Sequence, residues 1–160
     1  MAMRTMSNRE QSVREAALAA LARRSHSRGE LAAKLVAKGF GERDIEDTLD
    51  WLAGLGYLDD PTYARERAEM LQSRGYGRFH IRGDLRSRGV ESEVVQAVVD
   101  RLPDMRDTIS ALIARYMAGQ DADDPRQRRR VSDALARRGF SWDEIDAGLY
   151  QFFETEGTRD

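Results

Sequence analysis

The chain has 160 residues, of which 41% are hydrophobic and 34% charged, with a net charge of −2 and no cysteine. That length suits one domain of ordinary size, burying roughly 70% of its unfolded surface. The lack of cysteine excludes disulfides, thiolate chemistry and Cys-ligated metal, and agrees with the reducing cytoplasm in which the protein is expected to reside.

The opening Met1-Ala-Met-Arg-Thr-Met-Ser-Asn-Arg-Glu10 has no hydrophobic centre of the kind a signal peptide needs, and no apolar run in the chain approaches a membrane span. Residues 1–12 are expected to be a flexible tail. Val13-Arg-Glu-Ala-Ala-Leu-Ala-Ala-Leu-Ala-Arg-Arg24 then reads as an alanine- and leucine-rich helix. Ser27 and Glu30 have capping-box spacing, so a second helix starts there and ends at Gly39. A third, from about Asp44 to Ala53, buries Ile45, Leu49 and Leu52. Asp60 followed by Pro61 is a start signal for the next helix, 62–73, and Pro103-Asp104 repeats it before 105–117. Ser141 and Glu144 have capping-box spacing before the last helix. The expectation is all-α: nine helices in three tandem three-helix repeats, at 13–58, 59–102 and 103–154, stacked into an elongated, curved body, with a tail at 155–160.

The repeat rests on a register of 50 residues. Leu31-Ala-Ala-Lys-Leu-Val-Ala-Lys-Gly-Phe40 recurs as Ile81-Arg-Gly-Asp-Leu-Arg-Ser-Arg-Gly-Val90 and Val131-Ser-Asp-Ala-Leu-Ala-Arg-Arg-Gly-Phe140. Apolar columns continue through Ile45, Val95 and Ile145, then Leu49, Val99 and Leu149, while Gly39, Gly89 and Gly139 share one column. Unit three departs from the pattern through the polar, proline-ended loop Ala118-Gly-Gln-Asp-Ala-Asp-Asp-Pro125.

Charge follows the repeat. Residues 23–40 carry +4, 74–90 carry +4 and 126–140 carry +5, whereas 41–52, 91–102 and 141–152 carry −4, −2 and −3. Each unit therefore pairs a basic second helix with an acidic third. Of the 26 basic residues only Lys34 and Lys38 are lysine. Arginine's fork suits carboxylates and phosphates, although a GC-rich coding sequence accounts for the bias as well. Lys38, Arg88 and Arg138 precede the terminating glycines, where the helix dipole favours a cation by roughly 0.3–1 kcal/mol. Arg28, Arg78 and Arg128 lie at helix starts, where the dipole disfavours one. They are candidates for an anionic partner, or for pairing with neighbouring acids. In Arg74-Gly-Tyr-Gly-Arg-Phe-His-Ile-Arg82, Phe79 is expected in the core, while Tyr76 either fills the turn or stacks on a partner.

Catalytic patterns are missing. His26 and His80 are far apart, are expected in polar loops or on the surface, and have no zinc-ligand spacing. There is no phosphate loop and no nucleophile elbow. Asp59-Asp60 is expected to cap a helix, and Trp51 and Trp142 to pack. The reading is a non-enzyme without cofactor or metal.

Ser27-Arg-Gly-Glu-Leu31, Lys34-Leu35, Lys38-Gly-Phe40, Gly56-Tyr-Leu-Asp-Asp60 and Gly75-Tyr-Gly-Arg78 followed by Ile81, Leu85 and Gly89-Val90 resemble the RecX family of bacterial recombination regulators. The resemblance covers most of 13–153 and is densest at 25–90. It implies three tandem three-helix repeats, binding to the RecA filament in its groove or at its growing end, restraint of ATP hydrolysis, strand exchange and the SOS-inducing coprotease role, and weak DNA binding. It supplies no contact list and no catalytic site. From the charge pattern, the candidate contacts to the RecA filament or DNA are Arg24, Arg28, Lys34, Lys38, Arg74, Tyr76, Arg78, Arg82, Arg86, Arg88, Arg128, Arg129, Arg130 and Arg138, on a protein expected to be monomeric and to bind no membrane. The alternative is a direct DNA-binding helix-turn-helix protein, against which the would-be recognition helices are acidic.

Overall fold

The computed structural model describes residues 5–157. Nine α-helices follow one another: α1 (Asn8–Arg23), α2 (Arg28–Ala37), α3 (Glu42–Gly54), α4 (Asp60–Ser73), α5 (Arg78–Ser87), α6 (Ser92–Asp100), α7 (Arg106–Met117), α8 (Pro125–Arg137) and α9 (Trp142–Gly157), with no strand among the described residues. The backbone divides into two compact units, Met1–Glu66 with Leu85–Val95 and Arg67–Asp84 with Gln96–Asp160. The division passes through α4, α5 and α6, so each helix of the middle repeat contributes to both units.

The first unit is built on α1, α2 and α3. Val13, Ala17 and Ala20 recur at helical spacing and present a flat face of small side chains, against which Leu31, Leu35, Ile45, Leu49 and Leu52 close a core. Trp51 packs on its edge, with the Arg14 guanidinium 4.1 Å from its ring. In the second unit Ile109 and Ile113 on α7 meet Val131, Leu135 and Ile145. α7 and α9 approach closely because α9 carries a glycine at the crossing. A Cβ on Gly148 would lie 2.7 Å from Ile109 Cγ2.

Helix ends follow local chemistry, with corrections. Ser27 with Glu30 and Ser141 with Glu144 form reciprocal capping boxes. Gly39, Gly89 and Gly139 take φ of +88°, +73° and +93°, the left-handed turn that the glycine column predicts. The first helix, however, starts at Asn8, because Ser7 and Glu10 form a third capping box inside the expected tail. The last helix runs on to Gly157; residues 1–4 and 158–160 lie outside the described residues. Asp59, rather than Asp60, caps α4, accepting from the Thr62 amide at 3.0 Å. The helix α7 starts at Arg106, whose amide donates to Asp104 at 2.9 Å. The acidic loop between α7 and α8 is tied down: Asp121 accepts from the Asp123 amide, Asp124 caps α8, and Ala122 packs against the core.

Candidate functional site

The glycine that ends each basic helix does more than stop it. In the first unit, the turn at Gly89 that closes α5 lies against the first turn of α2, backbone on backbone. A Cβ on Gly29 would sit 2.6 Å from the Gly89 carbonyl oxygen and 2.9 Å from its Cα. The Ser27 hydroxyl donates to the Arg88 carbonyl, and the Arg88 guanidinium reaches back to Glu30 at 2.9 Å. The Glu30 carboxylate also accepts from Arg24 at 3.0 Å, from the Tyr63 hydroxyl at 3.2 Å and from the Ser27 amide at 3.3 Å. Burial disfavours its charge, but these donors, Arg24 foremost, outweigh it and hold the carboxyl below its ordinary range. Asp60 accepts from the Arg28 amide at 2.8 Å, so it caps α2 instead of its own helix.

The second unit repeats this junction with different side chains. The turn at Gly139 lies against the start of α5: the Gly77 amide donates to the Arg138 carbonyl at 2.7 Å and the Phe79 amide to the Gly139 carbonyl at 3.0 Å. A Cβ on Gly77 would lie 2.6 Å from that carbonyl group. Arg138 donates to the Tyr116 hydroxyl at 2.8 Å and to the Arg74 carbonyl at 3.0 Å. Tyr76 fills the turn, its ring stacked on His80 at 4.1 Å with Arg138 alongside. Arg88 and Arg138, which the helix dipole alone would place, thus also fasten one helix end to another helix start.

The arginine column at the helix starts has internal partners in every copy. Arg28 forms ion pairs with Glu46 at 2.9 Å and Asp50 at 2.7 Å on α3. Desolvation works against its charge, but the two carboxylates prevail and raise its pKa. Arg78 donates to the Val99 carbonyl at 3.3 Å, near the end of α6. Arg128 donates to the Ala122 carbonyl at 3.3 Å and lies 3.8 Å from the Phe153 ring. Because α8 begins at Pro125, Arg128 also lies beyond the positions where the dipole penalty is strongest.

The cations whose side chains have no bonded partner among the described residues are others: Lys34, Lys38, Arg74, Arg86, Arg129 and Arg130 among the candidates. Arg82 lies 5.8 Å from the Phe79 ring, and its buried Nε has no acceptor. Phe79 itself is 53% exposed and not in the core, because Ile81 and Leu85 take the buried face of α5. Trp142, in the first turn of α9, is likewise 59% exposed. His26 errs the other way: it is 4% exposed. Sequence reasoning gave Gly29 and Gly77 no role of their own, assigned Asp60 to its own helix, and gave Ser27 and Glu30 a capping role only. A glycine in or beside a helix's first turn was the available signal, since it costs helix stability unless a close approach requires it. No group of His, Asp and Glu among the described residues could hold a metal ion, and none of their helices is long and apolar enough to cross a membrane.

Three family models match the chain in order: the first three-helix domain of RecX over residues 14–52, the second over 59–99 and the third over 104–149. The regulatory protein RecX of Stenotrophomonas maltophilia strain R551-3 is 36% identical over 138 residues, 86% of this chain and 85% of that protein. The chain belongs to the RecX family. The regulatory protein RecX of Xanthomonas oryzae pv. oryzae strain MAFF 311018 is 37% identical over 140 residues, 87% of this chain and 88% of its own length. The crystal structure of RecX from Lactobacillus salivarius shares the fold with a TM-score of 0.83 at 20% identity, covering 92% of this chain and 98% of that one. RecX is a regulatory protein, and its three three-helix domains are those that the 50-residue register marks out here.

Proposed function

We propose that this chain regulates homologous recombination and DNA repair by binding the RecA recombinase filament in the cytoplasm and restraining its ATPase, strand-exchange and coprotease activities. Membership of the RecX family carries the reading. The distribution of unpaired cations supports it: after internal bonds are assigned, α2 with its C-cap, α5 and α8 each retain basic side chains without an internal partner, Lys34 and Lys38, Arg86, and Arg129 and Arg130. Such a surface suits a nucleoprotein filament, where protein carboxylates and DNA phosphates are both exposed. The acidic first turns of α3 and α9, with Glu42, Asp44, Asp143 and Glu144, speak against insertion of those helices into a DNA groove, as phosphates would repel them. No catalytic role is assigned.

The test is RecA-catalysed ATP hydrolysis on single-stranded DNA, titrated with this protein. Inhibition at substoichiometric amounts is expected. An unchanged rate at low salt, where electrostatic association is strongest, overturns the proposal.

A further inference from the structure

The turns at Gly89 and Gly139 each receive a helix start, and a third turn of the same kind receives none. A Cβ on Gly89 would meet Gly29 Cα at 2.9 Å, and one on Gly139 would meet the His80 amide. Gly39 takes the same left-handed conformation, yet its Cβ would meet nothing within 4 Å among the described residues. The carbonyls differ in the same way. That of Arg88 accepts from the Ser27 hydroxyl, and those of Arg138 and Gly139 accept from the Gly77 and Phe79 amides. The corresponding carbonyls of Lys38 and Gly39 accept from no group among the described residues.

Two side chains at this turn are left unmatched as well. The apolar residue after the glycine is buried at both filled junctions, Val90 at 5% and Phe140 at 3% exposure, whereas Phe40 is only partly buried. The cation before the glycine is engaged at both. Arg88 pairs with Glu30 in the first turn of α2, and Arg138 donates to Tyr116 and the Arg74 carbonyl. Lys38, in the same column, has no bonded partner among the described residues. Phe40 borders an open groove of about 560 Å³, where Asn8, Arg9 and Ser12 on α1 face Gly39 and Gly41, and Asp44 adds a carboxylate.

We infer that the Gly39 turn is a protein-docking site, which receives the first turn of a helix from a RecA protomer. The partner's identity rests on the filament reading, and the chemistry it must carry is that of the two filled junctions. A donor at the partner's N-cap meets the Lys38 carbonyl, as Ser27 and Gly77 meet those of Arg88 and Arg138. A glycine at the N-cap or the second helical position gives the clearance that Gly77 and Gly29 give. An acid in the first turn, where a helix's own dipole favours it, meets Lys38 and Arg9. The incoming amides satisfy carbonyls that the end of α2 leaves bare. A DNA phosphate does not suit the site, because it only accepts and would face those carbonyls and Asp44. A second copy of the chain has no such helix to offer. Its glycine-bearing starts at α2 and α5 are engaged, and that of α3, capped by Gly41, is part of the groove wall.

The test is co-sedimentation of the full chain with RecA assembled on polydeoxythymidylate, beside anisotropy of a labelled oligothymidylate without RecA. Gly41→Leu puts a side chain into the groove at φ −74°, which any residue adopts, with only Asp44 within 4 Å of the new Cβ. Lys38→Glu reverses the cation without breaking an internal bond, and Lys38→Arg restores the residue type of the other two turns. Filament affinity should fall about tenfold or more for Gly41→Leu and for Lys38→Glu, as removal of an interface anchor does, and hold for Lys38→Arg. Binding to the bare oligothymidylate should not change. Melting temperatures check the fold, and if Gly41→Leu melts early, Lys38→Glu decides alone. Wild-type filament affinity in a folded Gly41→Leu or Lys38→Glu variant overturns the site and leaves the filament reading standing. A matching fall on the bare oligonucleotide makes the turn a DNA contact and overturns it too. So does a dimer of the free chain in sedimentation equilibrium that Gly41→Leu dissolves, which would put a second copy there. Failure of the wild-type chain to co-sediment overturns the site and the filament reading together.

Discussion

Gly29 and Gly89 touch through their backbones, and neither position leaves room for a side chain: a Cβ on Gly29 would meet the Gly89 carbonyl oxygen at 2.6 Å. Gly29→Ala gains up to about 1 kcal/mol in helix propensity but forces two helix ends apart, an overpacking cost of about 1–3 kcal/mol. Net destabilisation is expected for Gly29→Ala and for Gly77→Ala in thermal unfolding. Gly83→Ala is the control: its Cβ meets nothing within 4 Å in an exposed stretch of α5, so a gain of about 0.5–1 kcal/mol is expected.

Gly148 sets the same two effects against each other inside a core. Its Cβ would lie 2.7 Å from Ile109 Cγ2 and 3.0 Å from Ile113 Cδ1, both on fully buried side chains. Gly148→Ala should therefore lower the denaturant midpoint despite its better propensity. Combining it with Ile113→Val, which removes the Cδ1 methyl that the new Cβ would meet at 3.0 Å, should recover part of the loss.

Glu30 accepts from four residues, Arg24, Ser27, Tyr63 and Arg88, so Glu30→Gln is expected to cost about 1.5–3 kcal/mol, the range for hydrogen bonds to a charged group. Because its folded pKa is depressed, its contribution is complete above the ordinary glutamate pKa and is lost as pH falls through the lower folded value. The wild-type and Glu30→Gln stability curves should diverge at neutral pH and converge in acid. Parallel curves down to the acid limit would show that the charge contributes nothing.

The two sets of arginines should separate by assay. Arg28→Ala removes ion pairs to Glu46 and Asp50, which are 58% and 70% exposed, so solvent screening limits the loss to about 0.5–1 kcal/mol. Arg129→Glu with Arg130→Glu removes no internal bond and should leave stability within about 0.5 kcal/mol, yet weaken RecA inhibition in a salt-dependent way. Melting temperature and ATPase inhibition measured on the same variants check both expectations.

The local grammar of the chain was readable. Apolar columns, capping boxes at Ser27 and Ser141, and the terminating glycines all act within four or five residues, where spacing carries the signal. What spacing could not carry is which distant partner a helix end meets. Ser27 and Arg88 bond across 61 residues, and Asp60 caps a helix 32 residues upstream of it, although its neighbour Pro61 made its own helix the obvious candidate. Single aromatic residues misled for a related reason. Phe79 and Trp142 stand in first turns, where the backbone is committed to a junction or a cap and the ring is left in solvent. For the candidate site, the charge sums mark α2, α5 and α8 as the basic helices, but only the fold separates arginines that bind its own carbonyls and carboxylates from those that do not.

A junction built from main-chain atoms asks little of the sequence around it. Gly77 and Gly139 meet through amides and carbonyls that every residue possesses, and only the absence of a Cβ is specified. Outside the buried columns such as Ile81, Val131 and Leu135, positions on those helices can drift without moving the helices themselves. That tolerance fits a backbone shared with a TM-score of 0.83 at 20% identity. It also means that the outer charges can be re-tuned to a changing partner, one arginine at a time, on a frame that does not register the change.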